Sequence, residues 1–358
     1  MKAVVLVGGE GTRLRPLTLS TPKQMLPIVG VPMIERVLHH LALHGVDEAV
    51  LSLGYLPDAF MSAYPEGHAT GVRLTYAVEP EPLDTAGAVR FAASFAGIDD
   101  TFVVVNGDVL TDLDLSAVLA FHRDREAEGT IALHPVADPS AFGVVPTDER
   151  GRVIAFVEKP PRDEAPTNEI NAGTYVLEAS VLERIPSGGR VSIERETFPA
   201  MVGDGRLFAL SDDRYWLDTG TPAAYLEANF DYVDGERGAV VAPGVADRGD
   251  GVLVEGESSL EGQFVGRSVV FAGCVVERGA RVEHSILGPG TVVSAGASVI
   301  GSVLMEGCRV AGDANVAGSV MGPRSIVGQR ADVRPLTVLG ADAVVSSGTI
   351  VDGDRVSG

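Results

Sequence analysis

The last hundred residues of this chain repeat, and the repeat leaves little freedom in how they fold. Stepping by 17 from Val276 reaches Val293, Val310, Val327 and Val344, and from Val282 it reaches Val299, Val316, Val333 and Ile350. Val270 leads in the same way to Leu287, Leu304, Met321 and Val338, and Ala280 to Ala297, Ala314 and Ala331. Within a unit the apolar positions lie six apart, so a coil is two six-residue faces and one of five. So short a turn cannot bury its valines alone, but a stack of such turns can. The spacing predicts a three-faced parallel β-helix over residues 250–355, with about five coils. Cys274 and Cys308 then share a column two coils apart. At about 4.8 Å per coil they stand roughly 9–10 Å apart, beyond disulfide reach, and are expected to be free thiols in a reducing compartment.

Residues 1–238 read as a separate domain. They carry 19 cationic and 36 anionic side chains, net −17, against nine and 13, net −4, in residues 239–358. Val31–His44 has helical apolar spacing, and Ala49–Leu53, Val72–Val78 and the wholly apolar Phe102–Val105 read as strands. A helix is expected over Thr85–Phe95, opened by Asp84 or Thr85. Leu115–Glu126 and Thr130–Pro135 continue the alternation. Alternating strands and helices at this spacing imply a doubly wound α/β domain with a mostly parallel, Rossmann-like sheet, in which ligands collect at the carboxyl ends of the strands.

The first such end is unusual. The apolar run Ala3–Val7 is broken by Gly8, Gly9 and Gly11, and no acidic residue occurs from Gly11 to Ile34, while Arg13, Arg15 and Lys23 do. Glycine lets backbone N–H groups approach a ligand, and with fixed cations these are the parts a polyphosphate needs. The Rossmann fingerprint and the P-loop both fit badly: Arg13 stands where the former needs its third glycine, and Gly-Lys-Ser/Thr is absent. The chain has 25 arginines but only three lysines, Lys2, Lys23 and Lys159, so a motif lysine carries weight. Asp108, in Asn106-Gly107-Asp108 after the Phe102 strand, is either a magnesium ligand or a turn aspartate capping the next element. Lys159 offers a point charge for a monophosphate, Glu158 and Asn171 offer hydroxyl-binding groups, and Asp218 a second carboxylate.

A formal charge of −21 argues against nucleic acid or an anionic membrane as partner. No apolar run approaches the roughly eighteen residues of a membrane span. One lysine and five apolar residues before glycine do not make a signal peptide. A cytoplasmic location is expected.

Together these motifs resemble the sugar-1-phosphate nucleotidyltransferases. Gly8-Gly9-Glu10-Gly11-Thr12-Arg13-Leu14-Arg15-Pro16-Leu17-Thr18 with Pro22-Lys23 looks like that family's signature. The match runs on through Asn106-Gly107-Asp108, Phe156-Val157-Glu158-Lys159-Pro160, Asn171-Ala172-Gly173 and Trp216-Leu217-Asp218-Thr219-Gly220, and the β-helix occurs in the family too. Asn171–Tyr175 and Ser192–Pro199 look most similar to the mannose-1-phosphate guanylyltransferases.

The resemblance implies a magnesium-dependent transfer of a nucleoside monophosphate from a triphosphate, with GTP favoured, to a sugar-1-phosphate. It places Arg13 on the leaving phosphates, Lys23 near the α-phosphate, and Asp108 and Asp218 on the metal. Gly8, Gly9, Gly11, Thr12, Glu79, Asp84 and Thr85 would bind the nucleotide. Gly143, Glu158, Lys159 and Asn171 would bind the sugar phosphate. Two positions depart from the pattern: Gln24 where proline is usual, as in thymidylyltransferases of glucose-1-phosphate, and Asp84 where glycine is usual.

Alternatives within the class are uridylyl-, thymidylyl- or adenylyltransferases of glucose-1-phosphate. A catalytically silent nucleotide-sugar-binding subunit is disfavoured by the joint presence of Lys23, Asp108, Lys159 and Asp218. A β-helix acyltransferase would need a catalytic histidine, and His284 is the one candidate in the coils. A homo-oligomer is expected from the flat-sided valine stack.

Overall fold

Strand β1 (Lys2–Leu6) is apolar because it lies in the middle of a sheet covered on both faces, with Ala3, Val4 and Val5 fully buried. The computed structural model describes residues 1–237 and 242–358, so the expected domain boundary at residue 238 falls outside the described residues. The chain divides into two units, one of Met1–Gly9 with Met33–Leu217 and one of Glu10–Pro32 with Asp218–Gly358. The glycine-and-arginine segment that opens the sequence thus groups with the β-helix, not with the sheet its own strand joins.

In the first unit β1 is followed by α1 (Met33–Leu43), β2 (Glu48–Leu53), α2 (Pro57–Ala63), β3 (Val72–Val78) and α3 (Asp84–Phe95). Next come β4 (Phe102–Asn106), β5 (Val109–Thr111), α4 (Leu115–Asp124), β6 (Gly129–Pro135), β7 (Gly143–Val144), β8 (Val157–Glu158), β9 (Glu169–Leu177), β10 (Leu207–Ser211) and β11 (Trp216–Asp218), whose last residue belongs to the second unit. The sheet order is β8-β7-β9-β4-β1-β2-β3, with β6 pairing β9 and β10. Strands β4, β1, β2 and β3 are parallel, whereas β7, β8 and β9 enter antiparallel. The sheet is therefore mixed, and more antiparallel than the alternation suggested. Segment Val153–Glu158 forms only the two-residue β8 beyond an isolated bridge at Val153.

In the second unit three parallel sheets stack into a helix of six coils, one more than expected, consistent with a left-handed β-helix. The core column Val276, Val293, Val310, Val327 follows the 17-residue step, but the next partner is Val345, not Val344. Likewise Val333 pairs Val351, not Ile350, and Met321 pairs Leu339, not Val338. The corner Arg334–Val338 holds one residue more than Ala317–Val320, and Leu336 takes φ 62 there. In a strand a shift of one residue exchanges the faces. Val344 and Ile350 are accordingly each 59% exposed, while Val345 and Val351 are buried.

One face of the helix is apolar on both sides. Val269, Ile286, Val303, Val320 and Val338 alternate with the core residues and are still buried, because segment Glu10–Pro32 lies over them: Gly30 sits against Phe271, and Gly340 against Pro16. Helix α5 (Phe198–Gly203) belongs to the first unit, and α6 (Pro222–Asp234) joins this one. The Nε2 of His284 is 3.1 Å from both Asp234 oxygens and its ring stacks on Phe230 at 4.4 Å, so the histidine is engaged in holding α6. Among the described residues no helix is long and apolar enough to cross a membrane.

Candidate active site

In the first unit four parallel strands end on one edge of the sheet, and the residues just past each end meet there. After β1 comes Gly8, whose carbonyl lies so near Gly54, just after β2, that a Cβ on Gly54 would come within 3.0 Å of it. A Cβ on Gly8 would stand 3.3 Å from Glu79 Oε1, at the end of β3. Past β4, a Cβ on Gly107 would fall 2.5 Å from Val7, so only glycine lets Asp108 follow β4 at this approach. Asp108 is half-buried and opens directly into β5. Gly9 has open space around it.

Glu79 does more than the resemblance assigned to it. Its Oε1 accepts from Ser52 Oγ at 3.0 Å and its Oε2 from Leu83 N–H at 3.1 Å, so it ties the loop before α3 to strand β2. Each oxygen keeps a second lone-pair direction for a ligand.

Asp84 takes φ +60, the left-handed conformation that the family's glycine adopts without cost, and its Oδ1 accepts from Thr85 N–H at 2.8 Å. The N–H groups of Ala86 and Gly87 at the start of α3 are taken by the Val191 carbonyl at 2.9 and 3.2 Å. Thr85 Oγ1 accepts from Ile193 N–H at 2.8 Å and donates to Glu194 Oε2 at 2.7 Å. Segment Val191–Glu194 is therefore part of the wall at Thr85, which residue spacing did not reveal. The local signal was the capping pair Ser192 and Glu196, where Ser192 Oγ accepts from Arg195 N–H and Glu196 Oε1 from Ser192 N–H.

The expected sugar-side residues also sit together. Gly143 and Glu158 are register partners on β7 and β8, and Lys159 Nζ lies 3.5 Å from Glu158 Oε1. Lys159 has φ +49, a strained value for a lysine, held by its N–H bond to the Phe142 carbonyl at 3.0 Å. Asn171 Nδ2 donates to Tyr175 Oη at 2.9 Å, and its Oδ1 accepts from Gly173 N–H at 3.0 Å. Burial, then the charge of Glu194, push the Tyr175 phenol well above its ordinary range, so it stays a neutral acceptor for Asn171.

A Cβ on Gly173 (φ +74) would strike Asn106 Nδ2 at 2.6 Å, which brings the Asn171 loop against the Asn106-Gly107-Asp108 turn. Trp216, the one tryptophan, donates its indole N–H to the Ala172 carbonyl at 2.9 Å and stacks on His134. It supports the same loop, a role its place in the motif did not disclose.

Gly11, Thr12, Arg13, Lys23 and Asp218 lie in the second unit. Gly11 (φ +61) starts a single 3-10 turn, Thr12–Leu14, and a Cβ there would press on Lys23 and Thr18 at 3.0 Å. Thr18 Oγ1 clamps the Gly11 carbonyl at 2.9 Å. Arg13 Nη2 lies 3.6 Å from Asp218 Oδ2, and Asp218 Oδ1 accepts from Gly220 N–H at 2.9 Å. Arg15, expected among the phosphate cations, instead pairs with Glu10 at 2.6 Å. Gln24 is buried, with no partner for its Oε1 among the described residues.

Known proteins match this chain along both of its regions. The nucleotidyl transferase family model matches residues 2–235, and the GMPPB C-terminal domain model matches residues 264–357. The chain is 42% identical over 301 residues to the mannose-1-phosphate guanylyltransferase of Mycobacterium tuberculosis strain H37Rv, covering 78% of this chain and 82% of that protein. It is 39% identical to the probable mannose-1-phosphate guanylyltransferase 1 of Oryza sativa subsp. japonica, covering 79% and 80%. A crystal structure of HddC from Yersinia pseudotuberculosis complexed with GMP-PN superposes with a TM-score of 0.56 at 29% identity, covering 64% of this chain and 99% of that one. The strand-end cluster, the signature segment and these relatives together show that this chain belongs to the nucleotidyl transferase family.

Proposed function

We propose that this protein transfers GMP from GTP to mannose-1-phosphate, forming GDP-mannose and releasing pyrophosphate. The observation that carries the chemistry is the pairing of Arg13 with Asp218 in the unit that also holds Lys23. A fixed cation for a leaving pyrophosphate stands beside a carboxylate suited to a metal. The choice of guanine and mannose is supported by the relatives and by Glu79, whose carboxylate can accept from both the ring N–H and the exocyclic amine of guanine.

A phosphate oxygen of the sugar-1-phosphate attacks the α-phosphorus in line. The new P–O bond forms as the bond from the α-phosphorus to the bridging oxygen breaks, and pyrophosphate takes the electron pair. The nucleophile is already anionic, so no general base is required. Arg13 neutralises charge on the leaving group, Lys23 holds the α-phosphate region, and Lys159 anchors the sugar phosphate. Backbone N–H groups at Gly8, Gly9, Gly11 and Thr12 line the phosphates, with Asp84 and Thr85 at the nucleoside. Gly143, Glu158 and Asn171 bind sugar hydroxyls.

Asp108 and Asp218 would hold a magnesium ion. Both are hard oxygen donors of the kind magnesium takes, one or two carboxylates being completed by phosphate oxygens and water. When bound, it screens the repulsion between the two phosphates.

A cytoplasmic location accompanies this function. Self-association through the β-helix is supported by Ile326 and Val344, register neighbours on one face that are 37% and 59% exposed.

Pyrophosphate release measured for four triphosphates against mannose-, glucose- and N-acetylglucosamine-1-phosphates tests the proposal. The highest kcat/KM is expected for GTP with mannose-1-phosphate. Preference for another pair overturns the substrate assignment, and no release from any pair overturns the activity.

A further inference from the structure

The segment carrying Arg13 and Lys23 is not packed solidly against the coils beneath it. A cavity of about 470 Å³ lies there, with Leu17, Met25 and Pro27 on one side and Phe271, Ile286 and Met305 on the other. Where packing is interrupted, a segment is located by the discrete contacts that remain. Three of them converge on one turn. Pro27–Ile28 and Val31–Pro32 pair as a short hairpin around Val29 (φ 45) and Gly30 (φ 74). A β-branched residue in the left-handed region is a real outlier, and it persists only where its surroundings over-determine it.

Those surroundings come from α6 and the β-helix. Asn229, fully buried, accepts the Val29 N–H through Oδ1 at 2.8 Å and donates through Nδ2 to the Tyr225 carbonyl at 2.8 Å. The Tyr225 hydroxyl donates to the Pro27 carbonyl. The Phe271 ring lies so close over Gly30 that a Cβ there would come within 2.3 Å of Cζ. All of these residues belong to the second unit. The turn begins six residues after Lys23, so its placement fixes the C-terminal end of the segment that carries the phosphate-facing cations.

We propose that Asn229 and Phe271 are positioning residues for nucleotidyl transfer. Neither touches substrate. They fix the Val29-Gly30 turn, and through it the register of Lys23 and Arg13, so that α6 and the β-helix govern triphosphate binding while sugar-phosphate binding is set elsewhere. This rests on the reading that Arg13 and Lys23 hold the triphosphate.

The test is steady-state kinetics on the full chain, with unfolding followed by circular dichroism and GTP binding by calorimetry. Asn229→Leu removes both amide bonds, and Phe271→Leu removes the ring while keeping an apolar side chain. For each, KM and Kd for GTP are expected to rise about tenfold, with KM for mannose-1-phosphate within about twofold, since small misplacement of a binding group acts on its own ligand. Val29→Gly supplies a residue that takes φ > 0 freely, so Asn229→Leu combined with Val29→Gly is expected to recover most of the GTP affinity.

If folded Phe271→Leu and Asn229→Leu leave both KM values unchanged, or raise both equally, the inference falls. Should Asn229→Leu fail to fold, Phe271→Leu decides alone, and should neither fold, the contacts are purely structural and the inference falls. Wild-type protein that neither binds GTP nor releases pyrophosphate would instead overturn the functional reading beneath it.

Discussion

In the β-helix each core residue finds its partner one coil along the chain, whereas in the sheet unit the residues that meet come from distant positions. Val293 packs between Val276 and Val310, each one period away. Glu79 is bound by Ser52 Oγ across 27 positions, and Thr85 by Glu194 across 109. The first arrangement repeats one local solution and tolerates little drift in register. The second buries strands uniformly and leaves their ends to irregular loops, each with its own glycine or carboxylate. The periodic region supplies rigidity, and the aperiodic strand ends supply chemistry.

The register of the last coils gives the sharpest test of the periodic side. Val345→Lys places an ammonium in the core column and is expected to cost about 4 kcal/mol in urea unfolding. Val344→Lys, on the exposed neighbour, is expected to stay within about 0.5 kcal/mol. Equal effects, or the reverse order, would restore the strict 17-residue register and break the account of the Leu336 corner.

On the aperiodic side Asp108→Asn is expected to lower kcat by about 10²–10³-fold with folding intact. A near-normal rate at saturating magnesium would remove Asp108 from the metal site. Gly173→Ala forces a Cβ toward Asn106 and is expected to raise KM for the sugar phosphate about tenfold, leaving KM for GTP nearly unchanged.

A smaller effect concerns pH. The side-chain bonds from Arg184 to Glu128, at 2.7 and 2.8 Å, hold that carboxyl below its ordinary 4.5. A carboxyl depressed in the folded state stabilises at pH above its unfolded value, and that contribution is lost as pH falls through the folded value. Glu128→Gln is expected to lose about 1 kcal/mol at pH 7, with its Tm converging on wild type as the buffer is taken below pH 4. A gap that stays constant with pH would mean packing, not charge, accounts for it.

The smallest expected effect is none at all. Burial pushes the Cys274 and Cys308 thiols up to about 11. Neither should react with a disulfide reagent at pH 8 until the protein is unfolded. Fast labelling of the native chain would show that the coils open locally.

Much of this was legible beforehand because the residues concerned solve local problems. Valines at a constant period announce stacked coils, and the all-apolar Phe102–Val105 run announces a strand covered on both faces. Glycines at positions 8, 9 and 11 followed by Arg13 and Lys23 announce a phosphate-binding segment. Asp84 stands where the family's pattern has glycine, and it adopts a positive φ of the kind glycine takes freely. What stayed hidden depends on which distant segment fills a space. Nothing local shows that Val191 caps α3, that Trp216 holds Ala172, that Arg15 turns to Glu10, or that Phe271 lies over Gly30.

By itself the sequence determined the two kinds of architecture, the strand ends at which chemistry gathers and the residue types that chemistry requires. Periodicity, burial pattern and charge are properties a chain carries before it folds. Only the tertiary structure decided which face Val344 and Val345 take, and which unit the signature segment joins. Register depends on the length of a single corner, and the cover of an apolar sheet face depends on which part of the chain can reach it.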